Sequence, residues 1–133
     1  MSGKNSYCFG KVVSLSHAEA VATVRQALAE QGFGILSEID VAAKFKEKLG
    51  IDYRPYLILG ACNPKMARRA LDAEPDLGVL LPCNVIVYVD REGQTKVMAM
   101  DPEGAMAMIG NPVVEEVAHE VRNLLDKVFE KLT

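Results

Sequence analysis

Apolar positions recur along this chain with two periods, and the places where the period changes mark out its elements. Tyr7 to Ser14 alternates as a first strand, with Tyr7, Phe9 and Val13 on one face. Ser16-His17-Ala18-Glu19 is a capping box: the serine oxygen accepts from the Glu19 N–H while the glutamate reaches back. It opens a helix carrying Ala20, Val21, Val24, Ala27 and Leu28 at helical spacing, closed by Gly32 as the C′ residue. Phe33 to Ile39 reads as a strand. Asp40 then caps a short helix, Val41 to Leu49, stopped by Gly50. Pro55 to Gly60 is short and apolar, a buried strand.

Asn63-Pro64 starts the next helix, with the asparagine as N-cap and the proline at N1, where its missing N–H costs nothing. Met66, Ala67, Ala70 and Leu71 form its inner stripe. Val79 to Val89 is rich in β-branched residues and reads as one strand, with Pro82 marking an edge, a bulge or a pre-strand segment. Asp90-Arg91-Glu92-Gly93 is a hairpin turn, and Gln94 to Met100 returns antiparallel. Asp101 to Gly110 reads as a loop. Asn111-Pro112 repeats the cap-plus-proline start, and the stripe Val114, Val117, Ala118, Val121, Leu124, Leu125, Val128, Leu132 marks a long last helix. No repeat or linker interrupts the pattern, so residues 1–133 are expected to form one α+β domain.

Composition narrows the function classes. A formal charge of −3 and no Lys/Arg run longer than two argue against a nucleic-acid partner. No apolar stretch reaches the ~20 residues of a membrane span. Met1 to Gly10 holds one lysine and no apolar leader core, so the expected location is the cytoplasm, where thiols stay reduced. An odd count of three cysteines also argues against a disulfide framework.

Two segments set a cysteine beside Asn and Pro: Ala61-Cys62-Asn63-Pro64 and Leu81-Pro82-Cys83-Asn84. With Phe9-Gly10, Gly32-Phe33-Gly34, Glu38-Ile39-Asp40 and Asp101-Pro102 they form a pattern over nearly the whole chain. That pattern resembles the "domain of unknown function 302" family. The resemblance implies a curved, mainly antiparallel sheet packed by helices, similar to the TATA-binding-protein-like arrangement, in the order β-α-β-β-β-β-α with extra short helices. It also implies a small homodimer, and a polar core made of Cys62, Asn63, Pro64, Pro82 and Cys83. It supplies no activity, and Cys8 lies outside the pattern.

Cys62 precedes a helix N-terminus, where backbone N–H groups favour a thiolate, and Lys65 follows in the first turn, so a lowered pKa is expected. Cys83 stands beside Pro82 where a strand begins. If their strands are neighbours, a disulfide would close a loop of about 20 residues, worth roughly 3 kcal/mol, and in a reducing compartment it would be redox-active rather than structural. Two thiolates are too few for structural zinc but suit a soft ion such as Cu(I). His17 and His119 read as solvated surface histidines. Met98, Met100, Met106 and Met108 form two M-x-M pairs, read as core filling or interface, with a copper contact the less supported alternative. Asp40 with Glu38 is a carboxylate candidate, although capping accounts for Asp40. No Ser/His/Asp, H-E-x-x-H, P-loop or dinucleotide-binding motif is present, so no catalytic residue is assigned.

Three classes follow: a non-catalytic ligand- or metal-binding module centred on Cys62 and Cys83, with haem, copper or a thiol-bearing metabolite as the candidate ligands and no cofactor assigned; a homodimeric structural or interaction module with core cysteines; and a thiol-redox protein using the same pair.

Overall fold

The computed structural model describes residues 7–133; residues 1–6, which carry most of the segment examined for a leader, lie outside the described residues. The elements in order are β1 (Cys8–Val13), α1 (His17–Glu30), β2 (Gly34–Asp40), α2 (Val41–Leu49), β3 (Tyr56–Cys62), α3 (Pro64–Ala73), a 3-10 turn (Pro75–Leu80), β4 (Cys83–Val89), β5 (Thr95–Met100), α4 (Pro102–Met106), a second 3-10 turn (Ala107–Ile109) and α5 (Pro112–Glu130). The strands form one antiparallel sheet in the order β1-β5-β4-β3-β2. The α+β class and the antiparallel sheet packed by helices are as the sequence predicts.

The helix boundaries follow local chemistry. Ser16 and Glu19 make the capping box in both directions, at 3.2 and 3.0 Å. Asp40, Asn63 and Asn111 each cap a helix through a side-chain oxygen. Such caps contribute about 1 kcal/mol each. Gly32 takes φ +84°, the left-handed value that ends α1.

Two expectations need correction. Val79 does not belong to a strand: Pro75 opens a 3-10 turn that buries Leu77 and leaves Val79 86% exposed, and β4 begins only at Cys83, after a cis peptide before Pro82. Asp101 to Gly110 is not a plain loop either. The Asp101 carboxylate accepts from the Glu103 and Gly104 N–H groups and Pro102 takes N1, enough to nucleate α4. Proline at N1 loses no hydrogen bond, so one well-placed acceptor turns the segment helical.

The core lies between one sheet face and the helices α1, α3 and α5. The sheet contributes Leu57, Leu59, Ala61, Val85, Val87, Val97 and Ala99, all buried. The last helix contributes Val114, Val117, Val121, Leu125, Val128 and Phe129. Each fully buried side chain of this size contributes roughly 1.5–3 kcal/mol. Arg122 ties the helix to the opposite edge: its guanidinium lies 3.7 Å from the Phe9 ring centroid and donates to Asp101 at 2.7 Å and Asp126 at 3.0 Å. Arg69 links α3 to Glu116 and Glu120 of α5.

The alternate residues of the strands point to the other face, where those three helices do not pack. Across it run Ile39, Ile58, Ile86 and Met98 in register, with Gly10 at the β1 end. A neighbouring row holds the stacked pair Tyr56–Tyr88, with Lys96 over the Tyr88 ring. Lys96 is the one charged residue that the register places on this face among the described strands.

Candidate functional site

Cys62 ends β3 and Cys83 begins β4. The two strands are adjacent, and Ala61 pairs directly with Cys83, so the cysteines are neighbours across one step of the ladder. Between them the chain builds a tight junction. Asn63 accepts from the Met66 N–H at 3.5 Å and donates through Nδ2 to the Gln31 carbonyl at 3.4 Å, joining the start of α3 to the end of α1. Pro64 continues as N1 of α3. Pro82 folds over Gly60: a Cβ on that glycine would stand 2.8 Å from the proline ring and overlap the Ser37 hydroxyl.

Cys62, Asn63, Pro82 and Cys83 line one cavity of about 40 Å³, walled by Phe33, Met66 and other apolar side chains. Its volume has room for roughly three waters at ~10–15 Å³ each, far below the ~300–1,000 Å³ of a small-molecule site.

Burial rather than the helix end sets the thiol chemistry. Desolvation raises the Cys62 pKa, the opposite of the lowering expected from its position. Cys83 is pushed up to about 11, first by burial and then by the neighbouring Cys62. An isolated thiolate would lose its water and find only one asparagine in the cavity wall, so both sulfurs stay protonated at neutral pH.

A pH prediction follows. The unfolded thiol ionises near 8.5, while folded Cys83 holds its proton up to about 11. The stabilisation from its burial is complete below pH ~8.5 and is lost as pH rises through 11, by roughly 3 kcal/mol in all. Guanidinium unfolding of the reduced protein at pH 7.5 and 10.5 should therefore show the wild type losing about 2 kcal/mol more than Cys83→Ala. Parallel losses in the two proteins would remove this account.

Asp40 is not part of this cavity. It accepts from the Ala43 N–H at 2.9 Å and lines a separate groove of about 360 Å³ with His17, Glu38, Tyr53 and Tyr56. Asp40 pairs with Leu57, five residues along β3 from Cys62, roughly 17 Å at strand spacing. Its companion Glu38 is engaged by Arg25 at 2.5 Å.

His17 is half-buried, not solvated: its Nε2 lies 2.9 Å from the Val87 carbonyl, a pairing that puts the proton on Nε2. His119 is exposed and sits 3.0 Å from a Glu103 oxygen. No three His, Cys, Asp or Glu side chains converge as metal ligands among the described residues. Of the methionines, Met106 is buried in the core, Met108 is 84% exposed, and Met98 and Met100 are half-buried on the strand face opposite Thr95, Val97 and Ala99. Core filling thus holds for Met106, which is buried, and in part for Met100, which packs against the core from its rim.

Of the uncovered sheet face, the sequence singles out only Met98 and Met100, read as core filling or interface. Its signal was present in Tyr56-Leu57-Ile58-Leu59 and Val85-Ile86-Val87-Tyr88, which are apolar at both parities. A strand with one solvated face alternates; these do not.

Comparison with known proteins adds the following. The family described as "Domain of unknown function DUF302" matches residues 9–132. A crystal structure of an uncharacterized conserved protein DUF302 from Bacillus stearothermophilus is similar at 30% identity and a TM-score of 0.87, covering 95% of this chain and 98% of that one. No curated protein matches the chain.

Proposed function

The chain belongs to the DUF302 family, and from that premise we propose that it is a non-catalytic homodimeric interaction module whose working surface is the open face of its sheet. The observation that carries this reading is the row Ile39, Ile58, Ile86 and Met98, an apolar band across four strands that α1, α3 and α5 leave bare. Ile39 is 45% exposed and Val12, at the β1 edge of the same face, 44%. Contiguous apolar patches of this kind are rare on monomers.

A second copy is the occupant that fits. Five strands of about six residues span roughly 24 by 20 Å, near 500 Å² before side-chain relief and within reach of the ~800 Å² per partner of a standard interface. Depletion of charge, with Lys96 alone, is the composition of an interface centre. Sheets pack face to face when their twists match, and an identical copy supplies the same twist about a two-fold axis.

In this reading Cys62 and Cys83 are core residues that seal the β3–α3 junction. Protonated thiols in a 40 Å³ cavity suit that role better than redox cycling. Three free cysteines suit a reducing compartment, so the module is assigned to the cytoplasm. Among the described residues no helix is long and apolar enough to cross a membrane. One observation favours a second reading, a very small ligand or soft ion held between Cys62 and Cys83: both sulfurs share one cavity with Asn63.

Light scattering during size exclusion tests the proposal. The wild type is expected to run as a dimer at ~100 μM. Ile86→Asp, which sets a charge at the centre of the band, should weaken association on the order of 100-fold while keeping the wild-type circular dichroism. A wild type that stays monomeric at that concentration, or an unchanged Ile86→Asp dimer, overturns it.

A further inference from the structure

Three sulfurs outside the Cys62–Cys83 cavity share one corner of the open face. Cys8 of β1 pairs directly with Met100 of β5, and Gly10 pairs with Met98. The register is pinned where the Asp101 N–H donates to the Tyr7 carbonyl at 2.8 Å. Ladder bonds alternate along an antiparallel pair, so Cys8 and Met100 form the closer, non-hydrogen-bonded kind, with Cα atoms ~4.5 Å apart. Met98 lies two residues back on the same face, a diagonal neighbour at ~7–8 Å. Its sulfur folds toward β1 over Gly10, since a Cβ on that glycine would stand 2.7 Å from it. All three residues are half-buried at the β1 edge.

We propose that Cys8, Met98 and Met100 form a binding site for Cu(I). One thiolate and two thioethers are the soft, low-coordinate set this ion prefers, whereas zinc or a hard cation would want nitrogen, oxygen or more thiolates. Methionine's unbranched arm closes the remaining distance. Charge fits as well. Binding replaces the Cys8 S–H bond by an S–Cu bond and releases one proton; the +1 ion and the −1 sulfur cancel, so the apolar face gains no net charge to desolvate. No electron is transferred. The site uses side chains of one chain and does not rest on the proposed dimer.

Anaerobic titration with Cu(I) against the chromophoric chelator bicinchoninate tests this. One ion per chain is expected for the wild type. It should be lost in Cys8→Ser, weakened at least tenfold in Met98→Leu/Met100→Leu, and kept in Cys62→Ser/Cys83→Ser, with X-ray absorption showing sulfur neighbours only. Thermal unfolding of each variant checks that it is folded. Copper that persists in Cys8→Ser, or that is lost with Cys62 and Cys83 instead, overturns the assignment. So does a coordination shell unchanged by the two leucines. The site shares Met98 with the proposed interface, so the titration is read beside light scattering: a monomeric wild type that still binds one ion overturns the dimer alone, and a dimer that binds none overturns the copper site alone.

Discussion

Leu125→Ala is expected to lower stability by about 3–5 kcal/mol, as large as any leucine truncation in this core. Leu125 has no exposed surface. It lies on the inner stripe of α5 between Val121 and Val128, also buried. Removing its three outer carbons forfeits their transfer energy and leaves a hole that the surrounding β-branched side chains cannot fill by rotating. The neighbouring Leu124 is only half-buried, so the same change there should cost less than half as much. Chemical unfolding midpoints of the two variants, at unchanged slope, measure the difference. Equal losses at both positions would mean that the helix is seated on a different stripe.

Gly10→Ala is the second large effect. Gly10 faces Met98 across the β1–β5 ladder, and a methyl group there would overlap the Val97 carbonyl oxygen and stand 2.7 Å from the Met98 Cα. Both obstacles are backbone, held by the pairing of six residues in each strand, so relief requires the edge strand to move. Overpacking of this sort costs about 1–3 kcal/mol and sometimes more, and the upper end is expected. Gly60→Ala makes the contrast. Its obstacles are the Ser37 hydroxyl and the Pro82 ring, so part of its loss should be recovered in the double variant with Ser37→Gly. Gly10→Ala has no comparable partner, and Met98→Ala should rescue it little because the backbone clash remains. Full rescue by Met98→Ala would show that the side chain alone is the obstacle.

Much of the fold is legible in the chain because its signals are local. Capping boxes act over three residues, and Ser16, Asp40, Asn63 and Asn111 each cap the helix they announce. The stripe of α5 needs only the helical period to be read. The failures also have local causes. The β-branched Val79 looks like strand, but Pro75 and the proline at 82 bracket it into a turn. In the segment after Asp101 a single carboxylate with two acceptable donors outweighs a weak loop composition.

The candidate site divides along a different line. That Cys62 precedes a helix start was evident from Asn63-Pro64. The shared cavity was not, because it depends on β3 and β4 being adjacent and on their register. The direction of the Cys62 shift reverses the expectation for the same reason: a helix N-terminus is visible in sequence, whereas desolvation is a property of what packs around the sulfur. The capping role of Asp40 is legible in the chain and holds, whereas the partner of Glu38, Arg25, is set only by the packing of α1 beside β2.

Most of the elements, their order, the α+β class and the family could be read from the chain, because they rest on interactions between residues close in sequence or on motif identity; the 3-10 turn at Pro75–Leu80 and α4 could not. Only the tertiary structure decided which sulfurs meet, which face of the sheet stays bare and which charges are already paired. Those outcomes depend on strand order β1-β5-β4-β3-β2, which brings Cys8 beside Met100 and Ile58 beside Ile86. Hydrophobic burial fixes that order through the summed area of many contacts distant in sequence, and no short stretch of the chain records such a sum.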